Sequence, residues 1–140
     1  MTSITVYTDG ASRGNPGPSA SGYAIVVDDR IIAESSEPNH ETTNNVAEYT
    51  AMINALEWCS KNIDGHKTAA LSVVSDSELV VRQMNRKYKM KSAELKPLMH
   101  RLLELVHLFG SVRFEHRPRT DPMISRVDRK LNELLDRIVP

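Results

Sequence analysis

Cysteine is nearly missing from this chain: Cys59 is the only one. No internal disulfide can form and no cysteine metal site exists, so the expected compartment is the reducing cytoplasm. Cys59 lies on the helix bearing Met52, Ala55 and Leu56 and reads as a packing residue rather than a nucleophile. Nothing approaches the roughly 18 uninterrupted apolar residues that a membrane span requires, and no membrane partner is expected. Met1-Thr2-Ser3-Ile4 runs directly into a strand without a signal-peptide pattern. His40, His66, His100 and His107 show no metal-ligand spacing. Repeats, low-complexity tracts and linkers are absent too, so residues 1–140 read as a single domain with one core.

The chain also lacks net charge, which on its own argues weakly against a nucleic-acid partner. The distribution argues the other way. Residues 1–60 hold eight acids and two bases, whereas residues 82–101 hold seven bases and one acid. Segregated charge can set a negative pocket beside a positive track for a polyanion, although a solvated basic helix face would give the same composition.

Hydrophobic patterning predicts the order β-β-β-α-β-α-α-β-α, an α/β fold with a five-stranded mixed sheet and helices packed on it. The β-branched run Ser3 to Thr8 reads as the first strand. Gly10 to Ser21, with three glycines and two prolines, reads as a loop. Gly22–Val27 and Ile31–Ser35 complete an antiparallel meander around the turn Asp28-Asp29-Arg30. From Thr43 the period lengthens, and Val46, Tyr49, Ile53 and Leu56 mark a helix with Asn44 or Asn45 as its N-cap. Leu71–Ser75 is the fourth strand and Ser77–Asn85 a short helix. Leu95, Leu98, Leu102, Leu105 and Phe109 mark the next helix, ended by Gly110, and Ser111–His116 the fifth strand. Asp121-Pro122 opens the last helix, with Val127, Leu131, Leu134, Leu135 and Ile138 on its inner side.

Four acids stand out on this frame. Asp9 and Asp76 each end a strand, at the carboxyl edge of an α/β sheet where ligands usually bind. A crossover between parallel neighbours would bring them side by side. Glu48 shares a helix face with Met52, Ala55 and Cys59, an odd place for an acid that only wants water, and Asp128 lies on the last helix. Each has an ordinary explanation alone: turn former, N-cap, partner of the helix dipole, surface residue. Together they look like a cage for divalent cations, because clustered carboxylates raise one another's pKa unless a cation compensates. Oxygen ligands without histidine or cysteine favour Mg²⁺ or Mn²⁺ over Zn²⁺.

Three stretches carry a longer signal: Tyr7-Thr8-Asp9-Gly10-Ala11-Ser12-Arg13-Gly14-Asn15-Pro16-Gly17, then Thr43-Asn44-Asn45-Val46-Ala47-Glu48-Tyr49, then Ser75-Asp76-Ser77-Glu78-Leu79-Val80. In this order and spacing the chain resembles ribonuclease H type 1 over nearly its whole length, in the form without the basic insertion. The resemblance implies an endonuclease that cuts the RNA strand of RNA–DNA hybrids, leaving 5′-phosphate and 3′-hydroxyl ends. It implies two Mg²⁺ ions, with Mn²⁺ as a substitute, held by an Asp-Glu-Asp-Asp set whose first three members fall on Asp9, Glu48 and Asp76. The fourth falls on Asp128, in Val127-Asp128-Arg129-Lys130-Leu131-Asn132; Asp121 is the competitor, better suited to an N-cap beside Pro122. Many relatives carry a histidine in the loop before this acid. Here the loop reads Arg117-Pro118-Arg119-Thr120-Asp121, so Arg119 is expected to take its electrostatic part, with His116 as a weaker candidate.

Substrate contacts carry over by motif to Gly10, Ala11, Ser12, Arg13 and Asn15, and to Asn44 and Asn45, whose amides can both donate and accept. Discrimination of a hybrid from DNA rests on the 2′-hydroxyl. Glu78 stands where many relatives have glutamine, and a carboxylate there cannot donate. Lys87, Lys89 and Lys91, around Tyr88, form the expected track for DNA-strand phosphates. Trp58 and Met90 read as packing residues, and a monomer is expected. Rival readings are a hybrid-binding module without catalysis, another nuclease of this architecture, and a sugar-kinase or actin-like nucleotide binder. The last would need a second phosphate loop and far more chain.

Overall fold

The structure, a computed structural model, describes residues 2–86 and 90–139. Lys87, Tyr88 and Lys89 of the expected phosphate track lie outside the described residues. Strands β1 (Ser3–Ser12), β2 (Ser19–Val27) and β3 (Arg30–Pro38) lead into helix α1 (Asn44–Asn62). A 3₁₀ turn (His66–Thr68) precedes β4 (Ala70–Ser75), followed by α2 (Glu78–Met84), α3 (Lys96–Val106), β5 (Ser111–His116) and α4 (Pro122–Ile138). The sheet order is β3-β2-β1-β4-β5, with β2 antiparallel to both neighbours and β1, β4 and β5 mutually parallel. The expected α/β class, mixed five-stranded sheet and element order are all present.

Alternation along β1 sorts its two faces. Ile4 and Val6 join the large core with Met52 and Leu56 of α1 and Leu102 and Leu105 of α3, while Ala11 packs with Leu131 and Leu135 of α4. The central strand is therefore covered on both sides, and its carboxyl end is enclosed by helices.

Several boundaries differ from the sequence reading. Gly10–Ser12 and Ser19–Ser21 are strand rather than loop, because the β1–β2 ladder runs on to Ser12↔Ser19. Composition signalled a loop there, but Gly10 serves a close approach: a Cβ on it would lie 2.3 Å from the Ala47 carbonyl carbon. Arg30 is already in β3, and the hairpin turn is Asp28-Asp29 alone, with φ of 52° and 62°, the left-handed pair of a two-residue type I′ turn. Thr43, not Asn44 or Asn45, caps α1, its hydroxyl accepting from Val46 N at 3.3 Å. On α4 the buried positions are Ile124, Val127, Leu131 and Leu135, and Ile138 is exposed instead of inward.

Helix α4 is pinned to β3 by charge as well as by packing. Glu34 accepts from Arg126 Nη2 at 3.1 Å and from Lys130 Nζ at 2.9 Å. The Arg126 hydrogen bond, foremost, lowers the Glu34 carboxyl to about 2. Because the folded value lies below the unfolded one, this contribution is complete above the ordinary 4.5 and is lost as pH falls towards about 2. Glu34→Gln should therefore cost stability at pH 7 but little at pH 2, so urea midpoints of the two proteins converge on acidification. A constant gap across that range would assign the effect to packing.

Candidate active site

The ladder between β1 and β4 ends at Thr8↔Ser75. Asp9, still on β1, and Asp76, just past the end of β4, follow next, so two carboxylates emerge side by side where parallel pairing stops. Thr8 Oγ1 ties the strands just beneath them, donating to Val74 O at 3.2 Å. Asp9 is not the last residue of β1, which continues to Ser12 on β2 alone. Glu48 reaches the same point from the second turn of α1, on the buried face shared with Met52, Ala55 and Cys59. The glycine at position 10 is what lets the helix come this close.

Carboxylate oxygens of Asp9, Glu48 and Asp76 all lie within 4.8 Å of one another. Asp9 is fully buried and Glu48 nearly so. Gly10 N donates to Asp9 Oδ1 at 3.0 Å, but Asp9 Oδ2 and Glu48 Oε2 are buried without a hydrogen-bond partner. Burial, then the charges of Asp76 and Asp128, raises the Asp9 carboxyl from 3.8 to about 8. Burial, then Asp9 and Asp76, likewise pushes Glu48 well above the usual carboxylate range. Unsatisfied oxygens and mutual repulsion at once are costly in a fold with nothing bound. A divalent cation with hard oxygen preference fits these residues, since it would satisfy both orphan oxygens and offset the charge.

Asp128 is not part of this three-acid group. It stands at the rim on α4, with Oδ1 3.9 Å from Arg119 Nε, and it lies close enough to Asp9 to raise that carboxyl. Arg119 donates from the same Nε to Asp76 Oδ2 at 3.0 Å, so the loop arginine spans two of the acids. Its backbone is anchored by Ser125 Oγ, which donates to Arg119 O at 2.7 Å. Asp121 is used differently. It caps α4, accepting from Met123 N and Ile124 N, and pairs with Arg117 at 3.4 Å. His116 ends β5 opposite Ser75, with its side chain exposed.

Gly10, Ala11, Asn44 and Asn45 line a cleft of about 260 Å³ together with Glu48, Asp76, Ser77 and Arg119. Volume does not single it out, since a groove of about 490 Å³ between Pro38 and Thr50 is larger but carries no carboxylate cluster. Asn44 is held from both sides: Oδ1 accepts from Ser12 N at 2.8 Å, and its backbone N–H donates to Asn15 Oδ1 at 3.0 Å. Arg13 points elsewhere, to Asn132 and Asp136 on α4. Glu78 pairs with Arg82 one turn along α2. Lys91 is exposed. Trp58 and Met90 pack against the core, and burial pushes the Cys59 thiol up to about 12, which leaves it no nucleophilic part. The sequence reading quoted Ser77 and Asn132 within its motifs but gave neither a role at the site; the signal for Asn132 was its place four residues after Asp128, on the same helix face. No helix among the described residues is long and apolar enough to cross a membrane.

Comparison with known proteins agrees with this geometry. The family model described as RNase H matches residues 1–116. The bifunctional protein Rv2228c of Mycobacterium tuberculosis is 36% identical over 135 residues, covering 95% of this chain and 35% of the relative. A ribonuclease HI of Halobacterium salinarum is 36% identical over 135 residues, covering 95% of this chain and 64% of the relative. This chain thus spans between about a third and two thirds of the length of those relatives. Among solved structures, LC11-RNase H1 in complex with an RNA/DNA hybrid superposes with a TM-score of 0.90 at 38% identity, covering 98% of this chain and 99% of that one. On the family match and on identity sustained across nearly all of its residues, this chain belongs to the ribonuclease H family.

Proposed function

We propose that residues 1–140 form a single ribonuclease H domain, an endonuclease that hydrolyses the RNA strand of RNA–DNA hybrids to 5′-phosphate and 3′-hydroxyl ends. The observation that carries this reading is the convergence of three carboxylates within 4.8 Å, two of them with orphan buried oxygens, at the sheet edge. Family membership and the hybrid bound by LC11-RNase H1 support the substrate class. Asp9, Glu48 and Asp76 would hold divalent metal, with Asp128 as the fourth ligand, and two Mg²⁺ ions, replaceable by Mn²⁺, suit the all-oxygen donor set. Such ions, when bound, activate water and stabilise the charge of a phosphodiester displacement.

The remaining residues would bind and orient the substrate. Backbone groups of Gly10 and Ala11 and the amides of Asn44 and Asn45 border the cleft, where short polar groups can reach a 2′-hydroxyl. Ser12 and Asn15 would act mainly through Asn44, by the hydrogen bonds that fix it. Arg119 would supply positive charge beside Asp76, the electrostatic part of the absent loop histidine. Lys87, Lys89 and Lys91 would carry the DNA-strand phosphates. A monomer acting in the cytoplasm fits this reading.

The deciding experiment is incubation with end-labelled RNA–DNA hybrid, duplex DNA and a four-way junction, each with and without Mg²⁺. Metal-dependent cutting of the hybrid RNA alone is the expected outcome. Binding without cutting would mark a hybrid-binding module, and cutting of the junction or DNA duplex would mark another nuclease of the same architecture. Replacing Lys87, Lys89 and Lys91 together by alanine should weaken hybrid binding and flatten its dependence on log[salt] by roughly 0.7–0.9 for each phosphate no longer neutralised, because fewer counterions are released. An unchanged slope would remove these lysines from the interface.

A further inference from the structure

Asp128 is the most exposed of the four acids. Its side chain is 23% exposed against 9% for Asp76, and it sits on α4, apart from the β1–β4 edge and α1. Something must hold its carboxylate towards Asp9. Asn132, one turn further along α4, does so with its side-chain amide: Nδ2 donates to Asp128 Oδ1 at 3.1 Å and to Asp128 O at 2.9 Å.

A primary amide can be turned either way, and its environment must choose. Arg13 makes the choice. A guanidinium only donates, and Arg13 Nη2 lies 3.2 Å from Asn132 Oδ1 and 3.4 Å from Asn132 O. The Asn132 oxygen must therefore face Arg13, which leaves its N–H groups for Asp128. Asp136, one more turn along, fixes the arginine with a 2.8 Å ion pair. Arg13 follows directly after β1, the strand that bears Asp9. The relay Asp136–Arg13–Asn132–Asp128 thus ties the helix of the fourth acid to the strand of the first.

We propose that Asn132 is a positioning residue, oriented by Arg13, that sets the Asp128 carboxylate for metal binding; this rests on the reading of Asp128 as a ligand given above. Arg13 then serves the site through α4 and not through the substrate. Arg119, with Nε 3.9 Å from the same Asp128 oxygen, is the competing partner. Loss of the Asn132 bond frees Asp128 to swing towards it.

Asn132→Ala and Asn132→Leu test this, since both replacements are better helix formers than asparagine and keep α4 intact. Mg²⁺ affinity, measured by calorimetry on the protein without hybrid, and kcat should each fall about tenfold, the scale of losing a group that orients a ligand, while KM for hybrid stays unchanged. Arg13→Ala should lose less in the same direction, and the Arg13→Ala/Asn132→Ala double variant should be no worse than Asn132→Ala, because the arginine acts through the amide. Asp128→Asn is measured beside them. Wild-type Mg²⁺ affinity and cleavage in Asp128→Asn would remove the ligand reading itself. An impaired Asp128→Asn with unaltered Mg²⁺ affinity in both Asn132 variants would overturn the positioning role alone. A raised KM with unchanged Mg²⁺ affinity would reassign Asn132 to substrate contact, and multiplying losses in the double variant would break the link to Arg13.

Discussion

Asp9→Asn should abolish cleavage, by at least about 10²–10³-fold, while hybrid binding in Ca²⁺ survives. The residue is fully buried, paired with Gly22 of β2, and its oxygens lie within 4.8 Å of those of Glu48 and Asp76. An amide keeps its shape and can still accept from Gly10 N, so the fold has no reason to change. The same variant separates charge from structure through pH. In metal-free wild type, the Asp9 carboxyl titrates at about 8 instead of its ordinary 3.8, so between those values the folded state holds a proton that the unfolded state has lost. Stability is then complete below about 4 and declines as pH rises to about 8. Asparagine cannot ionise. The melting temperature of Asp9→Asn in EDTA should therefore fall less steeply than that of wild type over that range, the remaining decline belonging to buried Glu48. Added Mg²⁺ should raise the wild-type melting temperature more at pH 8 than at pH 5, where protons compete for the ligands. Substantial cleavage by Asp9→Asn, or melting curves in EDTA that track wild type at every pH, would remove Asp9 from the centre of the site.

Gly10→Ala is expected to damage the same site without touching a charge. The added methyl would lie 2.3 Å from Ala47 C and 2.4 Å from Glu48 N, and these are backbone atoms that cannot swing aside. Helix α1 must move away from β1, at a cost of about 1–3 kcal/mol for overpacking. The displacement carries Glu48 away from Asp9 and Asp76, and a shift near 1 Å can cost about 10²-fold in rate. Urea unfolding and kcat together read both losses. Gly65→Ala is the control: its φ of 80° resists a side chain, but the nearest atom to the new methyl is 4.0 Å away and the site is remote. It should lose about 1 kcal/mol of stability and keep its rate. Equal rates for the two variants would mean that the approach of α1 to β1 does not set the site.

Much of this molecule was legible before folding. β-branched runs bounded by turn residues marked the strands, and apolar spacing of three and four marked α1, α3 and α4. An acid at position 48 on an otherwise buried helix face was anomalous enough to point to metal. What misled was composition where packing decides. Gly10–Ser12 and Ser19–Ser21 are loop-like by residue type, yet they extend a ladder because helices cover both faces of β1. Asn44 is a good cap by type, but its side chain is committed to Ser12, and Thr43 takes the helix terminus.

Local sequence, then, determined which elements form and which acids stand out on them, because periodicity and turn chemistry act over a few residues. Only the tertiary structure decided how those acids meet: that pairing between β1 and β4 stops at Thr8 and Ser75, and that Asp128 faces Asp9 while Asp121 caps α4 as its place beside Pro122 suggested. It also decided that the long side chain of Arg13 reaches α4. Distances between groups more than a hundred residues apart follow from the closing of the sheet and the docking of α4 on it, and no short-range pattern encodes them.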